Sequence, residues 1–341
     1  MSEQRVLEAI EEIKKGNMVI MLDDEDRENE GDLVYAGVFS TPQKVNFLAT
    51  HAKGLICVAI EKDRAKQLNL NPMVSTNTSS YETAFTVSVD AKNATTGISA
   101  AERDMTIKLL CDPFASSEDL VRPGHIFPLI AKEGGVLNRI GHTEGSVDLC
   151  KLAGLTPAGV ICEIMKDDGE MARRDDLDIF AKKHNLKMIY ISDLIEYRMK
   201  RESLIKEISK KETTFFDSAV ISIDFQDHLK RVHTAIIFKE ISKISNVKFH
   251  NISKDIELLQ NPEQYNGIIK SIEYLKNNSG LLIFMDNTLI NDTAIKEFGI
   301  GAQILHHLGI HKINLLSTKK ISEMSALNGF GLEIKEEIIL K

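Results

Sequence analysis

The chain has 341 residues, of which 43% are hydrophobic and 27% are charged, and this length is sufficient for two globular domains. Its net charge of −8 argues against general binding to nucleic acids, which requires a basic face. No apolar run approaches the roughly 18 residues that a membrane-spanning helix needs.

The first fifteen residues predict an amphipathic helix and not a signal peptide, because acids and bases alternate around Val6, Ile10 and Ile13. The cysteines are widely spaced and form no CxxC pair, so they indicate reduced thiols and a cytoplasmic location. They are Cys57, Cys111, Cys150 and Cys162.

The most informative segment is a run of ten residues between two apolar stretches, residues 18–22 and 33–37, that predict short buried strands. Seven of the ten are carboxylates, in the order Asp23-Asp24-Glu25-Asp26-Arg27-Glu28-Asn29-Glu30-Gly31-Asp32. Because like charges repel, the run needs a cation, either the lone Arg27 or a divalent metal held by oxygen ligands. Neither register of an EF-hand loop fits, so the alternatives are an enzyme site and a solvated acidic turn.

Two loop motifs follow. Residues 95–100 (TTGISA) predict a hydroxyl-rich turn, with a helix cap as its simplest role, after an alternating strand over residues 84–90. Residues 122–128 (RPGHIFP) predict a rigid loop that displays Arg122 and His125, because two prolines and a glycine fix its backbone.

Residues 139–146 (RIGHTEGS) open a helical pattern that runs through Gly154. Backbone N–H groups at a helix start, with Thr143 as the cap and Arg139 nearby, make a good phosphate site. His142 could serve there as a metal ligand, an acid–base group or a cap.

The apolar strand run over residues 159–165 contains one carboxylate, Glu163. A buried carboxylate must be paired, neutral or directed at a polar cavity, so a structural ion pair is the alternative to a catalytic role.

The chain turns basic after residue 198, and we expect a domain boundary near residues 200–212. The near-helical spacing of Leu204, Ile205 and Ile208 predicts a charged connecting helix over residues 198–211. Beyond it, a helix is predicted over residues 292–308, and strands are predicted over residues 218–224, 234–238, 280–285 and 313–316.

This pattern predicts an α+β N-terminal domain, residues 1–200, with mixed sheets and helices in three layers. A smaller α/β C-terminal domain, residues 213–341, follows it.

Together the N-terminal motifs supply a carboxylate cluster, loop histidines, a buried glutamate, arginines and hydroxyls. That set suits metal-assisted removal of a proton beside the carbonyl of a sugar phosphate. A divalent cation held by oxygen ligands would be Mg²⁺, with Mn²⁺ as a substitute. The alternative from another class is a non-catalytic acidic protein that binds metal or a partner.

The N-terminal motifs also resemble the 3,4-dihydroxy-2-butanone 4-phosphate synthase family, in the family's order. They are residues 24–32 (DEDRENEGD), 96–100 (TGISA), 122–128 (RPGHIFP) and 141–144 (GHTE). The resemblance implies a magnesium-dependent lyase of riboflavin biosynthesis that converts D-ribulose 5-phosphate to L-3,4-dihydroxy-2-butanone 4-phosphate and formate. It also implies a homodimer with active sites at the subunit interface.

Residue roles are implied by the same resemblance. It assigns metal ligation to Glu28 and His142. It assigns catalysis to His125, Glu163, Glu30 and Asp24. It assigns substrate binding to Arg27, Glu28, Asp32, Cys57, Thr96, Arg139, Gly141, His142 and Thr143. One position departs from the family, which usually has aspartate in place of Glu102, and we expect the change to alter a local ion pair and not the chemistry.

The C-terminal half partly resembles GTP cyclohydrolase II, through residues 298–305 (FGIGAQIL), 308–310 (LGI) and 313–317 (INLLS). That family's three zinc cysteines are absent, since no residue after Cys162 is cysteine, and its arginine-rich catalytic stretch is missing. A zinc hydrolase cannot activate water without its ligands, so we expect a degenerate relative that keeps the fold without the reaction. The missing cysteines disfavour the alternative, a bifunctional enzyme that also acts as GTP cyclohydrolase II.

Overall fold

The computed structural model of the protein describes residues 2–23, 27–286, 298–318 and 330–340. Contacts between Cα atoms divide the chain into two compact units, Met1–Lys200 and Arg201–Lys341. Within the described ranges, no helix is both long enough and apolar enough to cross a membrane.

The first unit combines a seven-stranded sheet with helices. Its strands are β1 (Val19–Leu22), β2 (Gly31–Ala36), β3 (Cys57–Ile60), β4 (Val89–Ala91), β5 (Leu120–Ile130), β6 (Ala158–Glu163) and β7 (Lys187–Tyr190). Its helices are α1 (Ser2–Lys14), α2 (Pro42–Phe47), α3 (Lys62–Gln67), α4 (Ala100–Cys111), α5 (His142–Leu152), α6 (Arg174–His184) and α7 (Ile191–Met199).

The strands of this sheet run in the order β4-β5-β3-β6-β2-β1-β7. β1 is parallel to β7 and antiparallel to β2, while β3 is parallel to β5 and antiparallel to β6, so the sheet is mixed. On one face, strand side chains such as Ile20 and Val160 pack with Val45 of α2, Ile107 of α4 and Leu177 of α6. The helix α5 covers the opposite face, so the predicted three-layer α+β class is confirmed.

The second, smaller unit is also built on a seven-stranded sheet, in the order β14-β13-β11-β12-β10-β9-β8. Its elements are β8 (Ile205–Phe215), β9 (Ser218–Asp227), β10 (Val232–Phe238), β11 (Ser245–Asn251), α8 (Asp255–Gln260), α9 (Pro262–Asn278), β12 (Gly280–Met285), α10 (Phe298–His307), β13 (Lys312–Ser317) and β14 (Glu333–Ile339). The four strands β11 to β14 pair in parallel, which confirms the predicted α/β class. The first six residues of the helix predicted over 292–308 lie outside the described ranges.

The predicted connecting helix over residues 198–211 is wrong. The helix α7 ends at Met199, and β8 begins at Ile205 and pairs with β9 along its whole length. The local spacing of apolar residues was near-helical, but a partner strand that pairs from Ile205 to Phe215 overrides that local preference.

The strand predicted over residues 84–90 is wrong in extent, because regular pairing covers only Val89–Ala91. Upstream, Phe85 meets β5 only as an isolated bridge, and the backbone N–H of Thr86 donates to the carbonyl of Pro128. Proline has no N–H to return, so the ladder cannot continue there.

A buried ion pair ties α5 and α7 to the turn that leads to the candidate site. Arg198 Nη1 donates to Asp148 Oδ2 at 2.6 Å and to the carbonyl of Gly134 at 2.9 Å, and the side chains of Arg198 and Asp148 are only 10% and 3% exposed. The same Asp148 oxygen accepts from the backbone N–H of Val136 at 2.7 Å. Burial raises the pKa of Asp148 from 3.8 to about 6, although Arg198 opposes the shift.

We expect Arg198→Met to lower the free energy of unfolding by about 3–5 kcal/mol near pH 8, because it leaves a buried carboxylate without its cation. The pKa of Asp148 is higher in the folded state than in the unfolded state, so protonation of Asp148 stabilises the fold. This stabilisation is complete below the unfolded-state pKa and is lost as the pH rises through the folded-state pKa. The loss in Arg198→Met should therefore be smaller at pH 5, where Asp148 takes up a proton. Urea unfolding of the full chain at both pH values, followed by circular dichroism, measures the difference.

Lys200→Met is the matched control, since Lys200 makes an exposed pair with Glu196 at 2.7 Å at the end of the same helix. Such a pair contributes about 0.5 kcal/mol or less. Equal losses in the two variants would show that the Asp148 pair does not hold this region together.

Candidate active site

Two carboxylates oppose each other at the ends of neighbouring strands. Asp32 of β2 is paired in register with Glu163, the last residue of β6. Side chains alternate between the two faces of a strand, so Glu163 lies on the same face of β6 as Gly159. The helix α5 covers this face, because a Cβ at Gly159 would lie 2.6 Å from Ser146. Burial raises the pKa of Asp32 well above its ordinary value, and the negative charge of Glu163 adds to the shift.

Cys57 lies on the adjacent strand β3, paired in register with Ile161 and therefore on the same face as Glu163. Burial raises the pKa of its thiol, and the charges of Glu163 and Asp32 add to that shift. A thiol in such surroundings stays protonated, so Cys57 can line the site but is a poor nucleophile.

His142 is the first residue of α5, and its side chain is buried. Its Nε2 lies 3.1 Å from the carbonyl oxygen of Met21, which can only accept, so Nε2 carries the proton. Its Nδ1 then presents a lone pair, 3.8 Å from Glu28 Oε2 and 4.0 Å from Asp32 Oδ1. Burial lowers the pKa of His142, which favours the neutral ring that a metal needs.

Asp23, Glu28 and His142 form a cluster in which one potential ligand atom from each lies within 4.8 Å of the others. Two carboxylates and one neutral imidazole are donors that suit Mg²⁺ or Mn²⁺. The residues therefore fit a hard divalent cation.

Sequence reasoning missed Asp23 as a site residue. Its carboxylate is buried and accepts hydrogen bonds from Arg27 Nη1 at 2.8 Å and from the backbone N–H groups of Glu28 at 3.0 Å and Glu30 at 2.8 Å. It thus shapes the loop as well as belonging to the cluster. Its position directly after a buried strand was the available signal.

Arg27 is the loop's own cation, and it bridges two carboxylates, Asp23 at 2.8 Å and Glu28 at 3.2 Å. Its guanidinium also lies over the ring of Tyr81, 5.0 Å from the ring centre. Tyr81 Oη donates to the Arg27 carbonyl at 3.0 Å, and the Tyr81 carbonyl accepts from Arg139 Nη2 at 2.7 Å. Tyr81, which sequence reasoning also missed, therefore links the two arginines predicted to bind substrate.

The turn before α5 positions Arg139 through an ion pair with the buried Glu144, at 2.5 Å. A side chain at Gly141 would displace the guanidinium of Arg139, because a Cβ at Gly141 would lie 2.2 Å from Arg139 Nη1. Gly141 is the N-cap residue, and Thr143 lies inside the first turn of the helix, so the prediction that Thr143 caps α5 is wrong. Glycine is a favourable N-cap residue although it offers no side-chain acceptor. The helix can therefore begin at His142, with the buried Thr143 in its first turn.

The two predicted catalytic glutamates are held differently. Glu163 Oε2 accepts from the backbone N–H of Leu55 at 2.8 Å. Glu30 lies 3.5 Å from Arg173 Nη1, and burial raises its pKa, with the charge of Glu28 adding to the shift and Arg173 opposing it.

His125 belongs to a second group of residues. Val89 pairs with Ile126 and Asp90 pairs with Val121, so residues 122–125 leave the ladder between β4 and β5. The ring Nδ1 of His125 lies 2.7 Å from Asp90 Oδ2, and its backbone N–H donates to Asp90 Oδ1 at 2.8 Å. Sequence reasoning missed Asp90, which fixes the orientation of His125.

Thr96 lies in the turn beside this pair, since a Cβ at the following Gly97 would be 2.8 Å from His125 Nδ1. Glu102 holds the turn, accepting from Thr95 Oγ1 at 2.6 Å, Thr96 Oγ1 at 3.3 Å and the backbone N–H of Gly97 at 3.1 Å. These bonds lower the pKa of Glu102 to about 2. Glu102, the residue that departs from the family, thus accepts hydrogen bonds from hydroxyl and N–H groups of the turn, where we expected an ion pair.

The predicted residues therefore fall into two groups within one chain. The acidic group contains Arg27, Glu28, Glu30, Asp32, Cys57, Arg139, Gly141, His142, Thr143 and Glu163. The second group contains Thr96 and His125, and no hydrogen bond or ion pair among the described residues joins it to the first. The predicted catalytic residue Asp24 lies outside the described ranges.

Comparison with known proteins identifies related sequences for both halves. Residues 7–197 match the family described as "3,4-dihydroxy-2-butanone 4-phosphate synthase", and residues 253–339 match "GTP cyclohydrolase II". A 3,4-dihydroxy-2-butanone 4-phosphate synthase from Sulfurospirillum multivorans is 60% identical over 97% of this chain and 93% of its own length.

Solved structures agree. A two-domain 3,4-dihydroxy-2-butanone 4-phosphate synthase from A. baumannii is 39% identical and covers 98% of this chain and 99% of its own, with a TM-score of 0.69. A synthase solved in complex with two magnesium ions is 40% identical over 57% of this chain and 97% of its own, with a TM-score of 0.55. The chain therefore belongs to the 3,4-dihydroxy-2-butanone 4-phosphate synthase family, and the function predicted from its sequence, that of a lyase of riboflavin biosynthesis, is confirmed.

Proposed function

We propose that the acidic group and the His125 group together convert D-ribulose 5-phosphate to L-3,4-dihydroxy-2-butanone 4-phosphate and formate. The observation that carries the proposal is the buried His142 ring, whose Nδ1 lies 3.8 Å from a Glu28 oxygen and 4.0 Å from an Asp32 oxygen beside Asp23. A solvated acidic turn would have no reason to enclose a buried imidazole in this tautomer.

Glu28 and His142, with Asp23 as the third ligand, would hold Mg²⁺, with Mn²⁺ as a substitute. The related structure solved with two magnesium ions supports magnesium as the metal. When bound, the cation would supply positive charge that polarises the substrate carbonyl.

The carboxylates of Glu163, Asp32 and Glu30 supply the acid–base chemistry. Burial and mutual repulsion raise the pKa values of Asp32 and Glu30, which makes both better proton acceptors than free carboxylates. Arg27 and Arg139, joined through Tyr81, offer cationic donors to the phosphate and hydroxyl groups of the substrate.

A homodimer with its active sites at the interface would bring the two groups together. Each group adjoins exposed apolar side chains, Leu55 next to Glu163 and Ile98 next to Thr96 and His125, which are 39% and 53% exposed. Apolar surface beside a half-exposed histidine favours burial against a second copy. In that arrangement His125 and Thr96 of one subunit face the acidic group of the other.

The lyase reaction is assigned to residues 1–200, and residues 213–341 form the degenerate GTP cyclohydrolase II-like domain. The cytoplasm is the proposed location, which the four free cysteines support.

Glu28→Gln should lower formate production by about two orders of magnitude or more, because it removes a ligand charge and leaves the side-chain shape. Thermal unfolding should change little, since one of several repelling charges is lost. Treatment of the wild type with EDTA should have the same effect and added Mg²⁺ should reverse it. Glu170→Gln, at an exposed carboxylate, is the control. Wild-type turnover by Glu28→Gln would exclude Glu28 as a ligand.

Mixed dimers test the shared site. Co-expressed His125→Ala and Glu28→Gln chains should regain about a quarter of wild-type activity, because half of the dimers are mixed and each has one intact site. The pair Glu28→Gln with Glu163→Gln should regain none, since both residues belong to the acidic group. Formate is assayed in the whole co-expressed population, and mixed dimers isolated from it should show about half of wild-type activity. Equal activity of the two pairs, or none in either, would contradict the interface arrangement.

The C-terminal half should bind no stoichiometric zinc and should not consume GTP, because the sequence offers no thiolate ligand after Cys162. Metal analysis of the full-length Glu28→Gln chain purified with zinc, in which the proposed N-terminal metal site is impaired, together with chromatography of GTP after incubation, measures both. Zinc at one equivalent with loss of GTP would favour the bifunctional alternative.

A further inference from the structure

Three consecutive carbonyls of the acidic loop each accept a hydrogen bond from a side chain that is distant in sequence. Tyr81 Oη donates to the carbonyl of Arg27 at 3.0 Å. On the other side, Arg173 Nη1 donates to the carbonyls of Glu28 at 2.6 Å and Asn29 at 2.8 Å. The backbone around Glu28 is therefore fixed by groups from outside the loop.

The loop needs this support because its backbone turns sharply after Glu28. Asn29 has a φ of 54°, in the left-handed region that asparagine tolerates better than most non-glycine residues. Directly before this turn, Glu28 faces His142, with its Oε2 3.8 Å from Nδ1. A change in this turn would move a predicted ligand.

Arg173 is itself anchored to a packed helix. Its backbone N–H donates to Asp176 Oδ2 at 3.0 Å at the start of α6. The same helix packs closely against the end of the acidic loop, since a Cβ at Gly31 would lie 2.6 Å from Leu177 Cδ1. Arg173 therefore links the start of α6 to the backbone of the loop through hydrogen bonds.

The charge of Arg173 alone would achieve little, because its side chain is 47% exposed and solvent screens its contact with Glu30 at 3.5 Å. Hydrogen bonds from a guanidinium to two carbonyls are directional and shorter than ordinary ones. The contribution of Arg173 is thus geometric.

We propose that Arg173 is a positioning residue of the metal site, holding the backbone of Glu28 and Asn29 so that the Glu28 carboxylate faces Asp23 and His142. This inference rests on the proposed metal site. It predicts that loss of the Arg173 side chain weakens metal binding before it affects any later step.

The test is Mn²⁺ binding to the full chain, measured by electron paramagnetic resonance, with kcat and KM determined at saturating Mn²⁺. Arg173→Met should weaken Mn²⁺ binding on the order of 10- to 100-fold, as loss of a group that orients a ligand does elsewhere. Turnover at saturating Mn²⁺ should stay within a few-fold of the wild type. Arg173→Lys should restore part of the affinity, since an ammonium can donate to one or both carbonyls without the guanidinium's geometry.

Lys166→Gln is the charge-matched control, because Lys166 pairs with Asp168 at 3.0 Å and makes no hydrogen bond to the part of the loop that the structure describes. Its Mn²⁺ affinity should equal that of the wild type. Unchanged Mn²⁺ affinity in Arg173→Met, or a raised KM for ribulose 5-phosphate at unchanged Mn²⁺ affinity, would overturn the positioning role. A wild type that binds no Mn²⁺ would instead overturn the metal site, and this inference with it.

Discussion

Repulsion between Asp32 and Glu163, paired across β2 and β6, is the interaction on which the rest of the candidate site depends. Asp32 is buried, and the charges of Glu163, Glu28 and Asp23 all raise its pKa. Carboxylates this close cannot all be ionised without a proton or a cation among them. The arginines around the loop and the proposed divalent ion follow from that constraint, because each supplies positive charge where the sheet concentrates negative charge.

The parts of the site that follow local rules could be predicted from the sequence. Flanking apolar runs gave the strands β1 and β2, and a carboxylate inside an apolar run marked Glu163 as anomalous. The partners that orient these residues could not be predicted, since they come from far along the chain. Asp90 is 35 residues from His125, Tyr81 is 54 from Arg27 and Arg173 is 145 from Glu28. Only the folded sheet brings such pairs together.

Secondary structure was predicted least well where long-range pairing overrides local preference. Residues 198–211 have the spacing of a charged helix, yet residues 205–215 form β8 because β9 provides a partner strand. The opposite happened over residues 84–88, where an alternating pattern predicts a strand but Pro128 in the neighbouring strand supplies no N–H. Both outcomes depend on a partner that a single segment does not reveal.

The C-terminal unit shows which parts of a motif the fold itself requires. In residues 298–305, Ala302, Ile304 and Leu305 are fully buried. A Cβ at Gly301 would lie 2.6 Å from the ring of Phe249, so the second glycine is needed for packing of α10 against β11. Gln303, in the same motif, accepts a hydrogen bond from the backbone N–H of Leu204 at 2.8 Å.

These residues therefore serve the packing and hydrogen bonding of the unit itself, whereas a zinc hydrolase needs thiolate ligands that the sequence after Cys162 does not contain. A domain that has lost that reaction, as we propose, would still need these residues, because its sheet and α10 pack through them.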